Sequence, residues 1–212
     1  RVVVRNQLSA GNNVLFCPTV ASGTETAVTQ RKNMNTTSQL TVKMIQKAVA
    51  TLKKNNVPTF NGDYVAIIHP YVAYDLQRDP EWIDAHKYAQ PENLFTGEIG
   101  KVAGVRFVES TEAKVWKDSD CPQKSAGSGS DPATYYGVFS TLVLGKNAYG
   151  VTEVTGGGLQ TIVKPLGAGE DPLNQRSTVG WKGILTAKIL LEQNMVRIES
   201  VSAEWSGTVD AN

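Results

Sequence analysis

The side chains of this 212-residue sequence that could do chemistry are few and widely spaced. There are two histidines, His69 and His86, and two cysteines, Cys17 and Cys121. Neither cysteine has a second cysteine or a histidine near it at the spacing of a zinc site, so we predict no metal site. Two cysteines are also too few for a disulfide framework, and free thiols are the favoured interpretation.

His69 is the residue that could serve as a catalytic base. It could pair across the fold with Cys17, or with a serine, as in a small hydrolase. A histidine that precedes a proline at the end of an apolar run more commonly bonds to nearby backbone, and we favour that structural role. His86 is expected at an exposed or interface position.

Glycine-rich and acidic segments come close to known motifs without matching them. The segment ending in Gly100 and Lys101 has Phe95 and Val102 where a phosphate-binding loop needs glycine and a hydroxyl residue. Gly145-Lys146 and the glycines at 156–158 also lack the spacing of a phosphate-binding motif, and Ser128 and Ser130 lack the strand-to-helix turn of a nucleophilic serine. The acidic groups at 79–84, 118–120 and 170–171 lie in polar sequence, with no apolar surroundings that would raise the pKa of a carboxyl group. We therefore predict no catalytic, cofactor-binding or metal residues and no cofactor.

Composition narrows the class of protein. The sequence is 41% hydrophobic and 19% charged, which is ordinary for a globular chain with a real core. Its net charge of +1 provides no strong basic field for nucleic acid. No apolar run is long enough to span a membrane, so no membrane partner is expected. The chain opens on Arg1 and three valines, which suggests that it begins inside a helix or strand, with upstream sequence missing.

Periodicity predicts two or three helices and about seven strands. Residues 1–8 resemble the end of a helix that stops at Gly11. Thr41 is the expected N-cap of a helix whose apolar face is Val42, Ile45, Val49 and Leu52. Residues 64–68 form a predicted buried strand, and Pro70 begins a short helix. An irregular, partly helical segment with buried aromatic residues is expected at 81–95.

The remaining segments are predicted to be strands and loops. Residues 19–39 are expected to be a loop, and 118–132 a flexible loop. Residues 102–108 form a predicted strand in which Gly104 indicates a bulge or a close backbone approach. Residues 181–191 and 195–201 are predicted to be a terminal hairpin with Arg197 and Glu199 outward, followed by a fraying tail. Because the strands follow no β-α-β order, the fold class is α+β.

Several long blocks, in order, resemble one known family. They are GDYVAIIHP at 62–70, DPEWIDAHKY at 79–88, DPLNQR at 171–176 and VGWK at 179–182. These blocks resemble the N-four-type family of tailed-phage major capsid proteins, which have the Hong Kong 97-type capsid fold. A strand ending in His-Pro at 65–70, an aromatic linker at 82–95 and an apolar hairpin at 181–201 also match that fold.

The resemblance implies a shell subunit without enzymatic activity. It places residues 1–59 in part of a peripheral domain, 60–165 in an axial domain, and 166–212 in a return to the peripheral domain. The family's N-terminal arm and extended loop are missing before Arg1. The implied partners are copies of the chain in hexamers and pentamers, a scaffold or portal protein, and packaged double-stranded DNA contacted non-specifically. The implied location is the virion capsid, assembled in the bacterial cytoplasm.

Two other interpretations remain open at this point. One is another phage structural module, such as a tail or decoration protein, which would differ from a shell subunit in its copy number per virion. The other is a small hydrolase that uses a serine or Cys17 with His69. The hydrolase hypothesis requires His69 to lie within hydrogen-bond reach of a nucleophile.

Overall fold

The computed structural model describes residues 2–89, 100–125, 134–152, 158–167, 173 and 175–212. The helices in this part are α1 (Val2–Leu8), α2 (Val42–Lys54), α3 (Pro70–Gln77) and α4 (Pro80–Ala89). The strands are β1 (Val14–Phe16), β2 (Thr19–Ala21), β3 (Thr24–Thr26), β4 (Tyr64–Ile68), β5 (Lys101–Val102), β6 (Val105–Glu109), β7 (Val115–Trp116), β8 (Gln123–Ser125), β9 (Thr134–Tyr135), β10 (Val138–Leu144), β11 (Tyr149–Val151), β12 (Gln160–Lys164), β13 (Thr178–Lys182), β14 (Ala187–Ile189) and β15 (Met195–Val201).

One mixed sheet organises the molecule. Its order is β1-β15-β10-β4-β6-β5, and β7 pairs with the start of β10. Every residue of β10 and β15 is buried, so these two antiparallel strands form the centre of the core. β4 and β6 pair in parallel with α3 and α4 between them in sequence, which gives one β-α-β crossover that we did not predict. The sheet takes strands from the beginning, middle and end of the chain.

Helix α2 has the apolar face that its sequence predicts, but a different cap. Val42, Ile45, Val49 and Leu52 are all buried. Thr41 occupies the N-cap position, yet its hydroxyl makes no cap bond. Instead, the Asp79 carboxylate accepts from the Val42 amide at 2.8 Å and from the Glu81 amide at 3.1 Å. A carboxylate at both helix starts satisfies free amides and favours each helix dipole, so Asp79 fixes α2 relative to α4.

The strand, His-Pro and helix unit is confirmed. β4 is a central strand, and Pro70 occupies the first position of α3. His69 is the N-cap of this helix, and its Nδ1 accepts from the Tyr71 amide at 3.2 Å. The expected irregular linker at 81–95 is regular helix as far as Ala89, and Trp82 is buried as expected.

Three predictions, for residues 19–39, for Gly104 and for the tail, were wrong. Residues 19–39 contain the β2–β3 hairpin. Gly104 belongs to a tight turn between β5 and β6, with positive φ at Ala103 and Gly104, and is not a bulge. Of the expected flexible loop at 118–132, residues 126–132 lie outside the described residues, and Gln123–Ser125 form β8, which pairs with β9. The tail does not fray, because Asn212 bonds to the backbone of Val115 and Ala113.

The predicted terminal hairpin was also wrong. Residues 181–191 are not one strand: β13 pairs with β12, and β14 pairs with β11. β15 pairs with β1 and β10 and not with β14. Within 185–191 the alternation predicts a strand correctly for Ala187–Ile189 alone, and the partner of that strand lies far away in sequence, which local periodicity does not specify.

Candidate interaction surface and buried charge cluster

In the described part of the chain, the His69 imidazole is not hydrogen-bonded to a serine or cysteine nucleophile. His69 is buried, lies against the Phe139 and Tyr71 rings, and has its pKa lowered by burial. A pocket of about 340 Å³ beside it is lined in part by Thr111 and Asp210. Within the described residues, the hydrogen bond of the His69 imidazole is the one that Nδ1 accepts from the Tyr71 amide. A bond from a backbone amide is what the structural role predicts, and the hydrolase hypothesis has no pair of base and nucleophile among the described residues around His69.

Neither thiol has the character of a nucleophile. Cys17 is fully buried, and burial, with the nearby Glu199 carboxylate, raises the pKa of its thiol strongly. Burial also raises the pKa of Cys121 to about 12, and its Sγ donates to Asp118 Oδ1 at 3.3 Å. Both cysteines are free, as predicted. Buried thiols that stay protonated are inert at neutral pH.

Several other candidates lie outside the described residues. These are Gly97, the glycines at 156 and 157, Ser128, Ser130, Glu170, Asp171 and the side chains of His86 and Tyr88. In the described part of the chain, no three histidine, cysteine or acidic side chains come close enough to hold a metal ion. None of the helices there has the length and apolar character needed to cross a membrane.

A buried charge cluster lies where the sequence predicted outward-facing residues. Glu199 is fully buried and Arg197 is 9% exposed, so their predicted orientation was wrong. Arg31 forms two bonds to the Glu199 carboxylate, at 2.7 Å from Nε and 2.8 Å from Nη2. Arg197 Nε donates to the same carboxylate at 3.0 Å. Two arginines thus share one carboxylate in the interior.

Aromatic and backbone contacts complete this cluster. The Arg31 guanidinium lies 4.1 Å from the centre of the Trp116 ring, and that of Arg197 lies 5.3 Å from it. Arg197 Nη1 also donates to the carbonyls of Ser9 and Gly11. Burial lowers the pKa of Arg197, while burial of Arg31 is outweighed by Glu199, so the pKa of Arg31 is raised. The cluster therefore ties β15 to the chain after α1, to the 3-10 turn at Arg31–Asn33 and to β7.

An exposed two-stranded ribbon, β12 with β13, is the main surface feature. All ten residues of the two strands are exposed. The register pairs Thr161 with Trp181 and Val163 with Val179, so these side chains share one face. Trp181 is 76% exposed, Val179 72% and Val163 63%. Large apolar side chains clustered in solvent mark sites that contact another molecule.

An apolar groove opens elsewhere on the same chain. It has a volume of about 430 Å³ and lies between α1, β10 and β11. Val4, Leu8, Leu142 and Val151 line it. Arg5 and Glu112 also line the groove, with 3.8 Å between their charged atoms. The sequence reasoning identified neither the groove nor the ribbon, since both depend on which strands pair.

The class of this protein is given by its family. The sequence model of a family described as "Phage capsid protein" matches residues 2–177. The chain belongs to this phage capsid protein family. Its α+β fold is the Hong Kong 97-type fold, so the predicted resemblance to tailed-phage major capsid proteins is confirmed. The narrower N-four-type assignment stays a prediction.

Solved structures show the same fold at low sequence identity. The capsid structure of the cyanophage P-SCSP1u has a TM-score of 0.60 and 18% identity, with 95% of this chain and 60% of that chain covered. The acidic stable capsid structure of Helicobacter pylori bacteriophage KHP30 has a TM-score of 0.55 and 12% identity, with coverages of 77% and 59%. The capsid of Ralstonia phage GP4 has a TM-score of 0.56 and 14% identity, with coverages of 82% and 50%.

The match to these structures is partial in length. The chain spans about 60% of the cyanophage capsid chain and half of the Ralstonia phage chain. Comparison with curated proteins gives no match. The family and the capsid structures together make the chain a structural subunit, and its place is the virion capsid.

Proposed function

We propose that copies of the protein containing this chain assemble with one another into the hexamers and pentamers of an icosahedral shell around double-stranded DNA. The observation that carries the proposal is the capsid family match over residues 2–177. The exposed ribbon supports it, because a shell subunit needs apolar surface for its neighbours. Copies related by rotation about one axis close into rings through a head-to-tail contact.

The domain division follows the same proposal. Residues 1–59 and 166–212 belong to the peripheral domain, and residues 60–165 to the axial domain around the centre of each ring. The central sheet crosses this division, since β1, β4 and β15 come from all three ranges. The two domains would therefore move as one unit in the shell.

We also propose that the subunit has no enzymatic role. Support comes from the backbone bond of His69 and from thiols that burial keeps protonated. DNA is contacted without sequence preference, in keeping with a net charge of +1. Assembly takes place in the bacterial cytoplasm with a scaffold or portal protein.

The test is to express the full-length protein with its scaffold and to separate the products by sedimentation. Closed particles of uniform size, each with hundreds of copies, are expected. Small oligomers of a few copies, with no closed particle, would indicate a tail or decoration protein instead. Monomers alone, at concentrations where the scaffold is saturating, would contradict the proposal.

A further inference from the structure

The ribbon formed by β12 and β13 has one apolar and one polar face. Antiparallel partners point to the same side of a ribbon, so Val163, Val179 and Trp181 lie together with Thr161. Leu159 directly precedes β12 and continues the same alternation, and it is 78% exposed. We call Leu159, Val163, Val179 and Trp181 the apolar face.

The opposite face is polar and basic. Its members by register are Gln160, Ile162, Lys164, Thr178, Gly180 and Lys182. Ile162, the single large apolar side chain among them, is 43% exposed, less than any member of the apolar face. The lysines on this face remain in solvent when the apolar face is covered.

An isolated two-stranded ribbon is marginally stable in water. This one exposes all ten residues of its strands, so it lacks a packed layer on either side in the described part of the chain. The apolar face exposes on the order of 500 Å² of accessible surface, which is more than half of the ~800 Å² that one partner buries in a standard interface. A partner that covers this face would therefore supply the missing layer.

The apolar groove supplies a matching surface on the same chain. Its volume of about 430 Å³ is in the range that accommodates a large aromatic group. Leu185, three residues after the end of β13, lies at the groove itself. The chain thus leaves the ribbon beside its own groove, while the apolar face of the ribbon stays exposed.

We propose that the apolar face docks into the apolar groove of a second copy of this chain, with Trp181 as the anchor. The occupant is a second copy because both surfaces are present on every subunit, and a capsid family member is surrounded by identical chains. Since the two surfaces are different patches, the contact is head-to-tail and can close into a ring. The inference rests on the proposed shell function and names the contact that builds it.

The direct test is a disulfide between copies in assembled particles of the full-length protein. Trp181→Cys is combined with Val151→Cys, a groove residue that is 48% exposed, and the particles are treated with a mild oxidant. We expect a ladder of covalent multimers on a non-reducing gel, which the single variants do not give. Because the natural thiols of Cys17 and Cys121 are buried, the unmodified protein should form no disulfide and serves as the negative control. Assembled particles that yield only monomers, or an internal disulfide, would overturn the proposal.

A second test measures assembly. Trp181→Lys should lower particle yield at least tenfold, with an unchanged circular dichroism spectrum. The matched control is Val20→Lys, which places the same charge on an apolar position 40% exposed on β2, and its yield should stay within about twofold of the unmodified protein. If Trp181→Lys assembles normally, the docking contact is wrong while the shell function stands. If the unmodified protein does not assemble, the proposed function itself fails.

Discussion

Replacing Glu199 with glutamine tests the importance of the buried charge cluster. Glu199 is fully buried and accepts bonds at 2.7 and 2.8 Å from Arg31 and at 3.0 Å from Arg197. Glutamine has nearly the same shape but no charge. The substitution leaves two guanidinium groups near each other without a counter-ion, and its amide group cannot accept all three bonds.

The expected loss in the free energy of unfolding is about 3–5 kcal/mol, the usual cost of removing one partner from a buried ion pair. For a chain of this size, such a loss lowers the midpoint of thermal unfolding by roughly 6–20 °C. The matched control is Glu25→Gln. Glu25 pairs with Lys43 at 2.5 Å, but the two side chains are 45% and 63% exposed, so the expected loss is below about 1 kcal/mol.

The assay is urea unfolding followed by tryptophan fluorescence, a signal to which Trp116, beside Arg31, contributes together with the other three tryptophans. Circular dichroism on the same samples checks that secondary structure is lost in the same transition. If Glu199→Gln is no less stable than Glu25→Gln, the cluster does not stabilise the fold and this reasoning is refuted.

Three further predictions concern pH, capping and packing. Burial raises the pKa of Asp75 to about 6, a shift that the nearby Ser202 hydroxyl opposes and Glu204 reinforces. The folded state therefore holds this proton more tightly than the unfolded state. Lowering the pH from 7 to 5 should add about 1–2 kcal/mol of stability from this group, and Asp75→Asn should remove that gain in thermal unfolding measured against pH. Asp79→Ala removes the acceptor for the first amides of α2 and α4 and should cost about 1–2 kcal/mol in urea; no change in the midpoint would show that solvent caps both helices equally well. Gly145→Ala would push a methyl group into Val57, at a cost of about 1–3 kcal/mol, whereas Gly158→Ala meets open space and should be nearly neutral; equal effects would refute the packing argument.

Local patterns in the sequence predicted the elements whose partners lie nearby. The apolar face of α2, the buried strand β4 and the start of α3 at Pro70 follow from periodicity and from proline's lack of an amide hydrogen. The structural role of His69 also follows locally, because its bond goes to the amide two residues later.

Contacts between distant segments were beyond such reasoning. Glu199 and Arg197 alternate with apolar residues as an outward face would, and only their contacts with Arg31, with Trp116 and with the backbone after α1 show that this face is covered. The Asp79 cap of α2 joins groups 37 residues apart. The ribbon was missed because β13 was assigned to a hairpin with the final strand, whereas its partner β12 lies before it in sequence. In each case a contact between distant segments decided the structure, and the local sequence pattern does not contain that contact.

The central claim, that this chain builds a capsid shell, is tested most directly by electron microscopy of the full-length protein expressed with its scaffold. The account predicts closed particles of uniform size whose walls show rings of six and five subunits. A folded protein that stays monomeric at high concentration, with no particles in the presence of its scaffold, would contradict it.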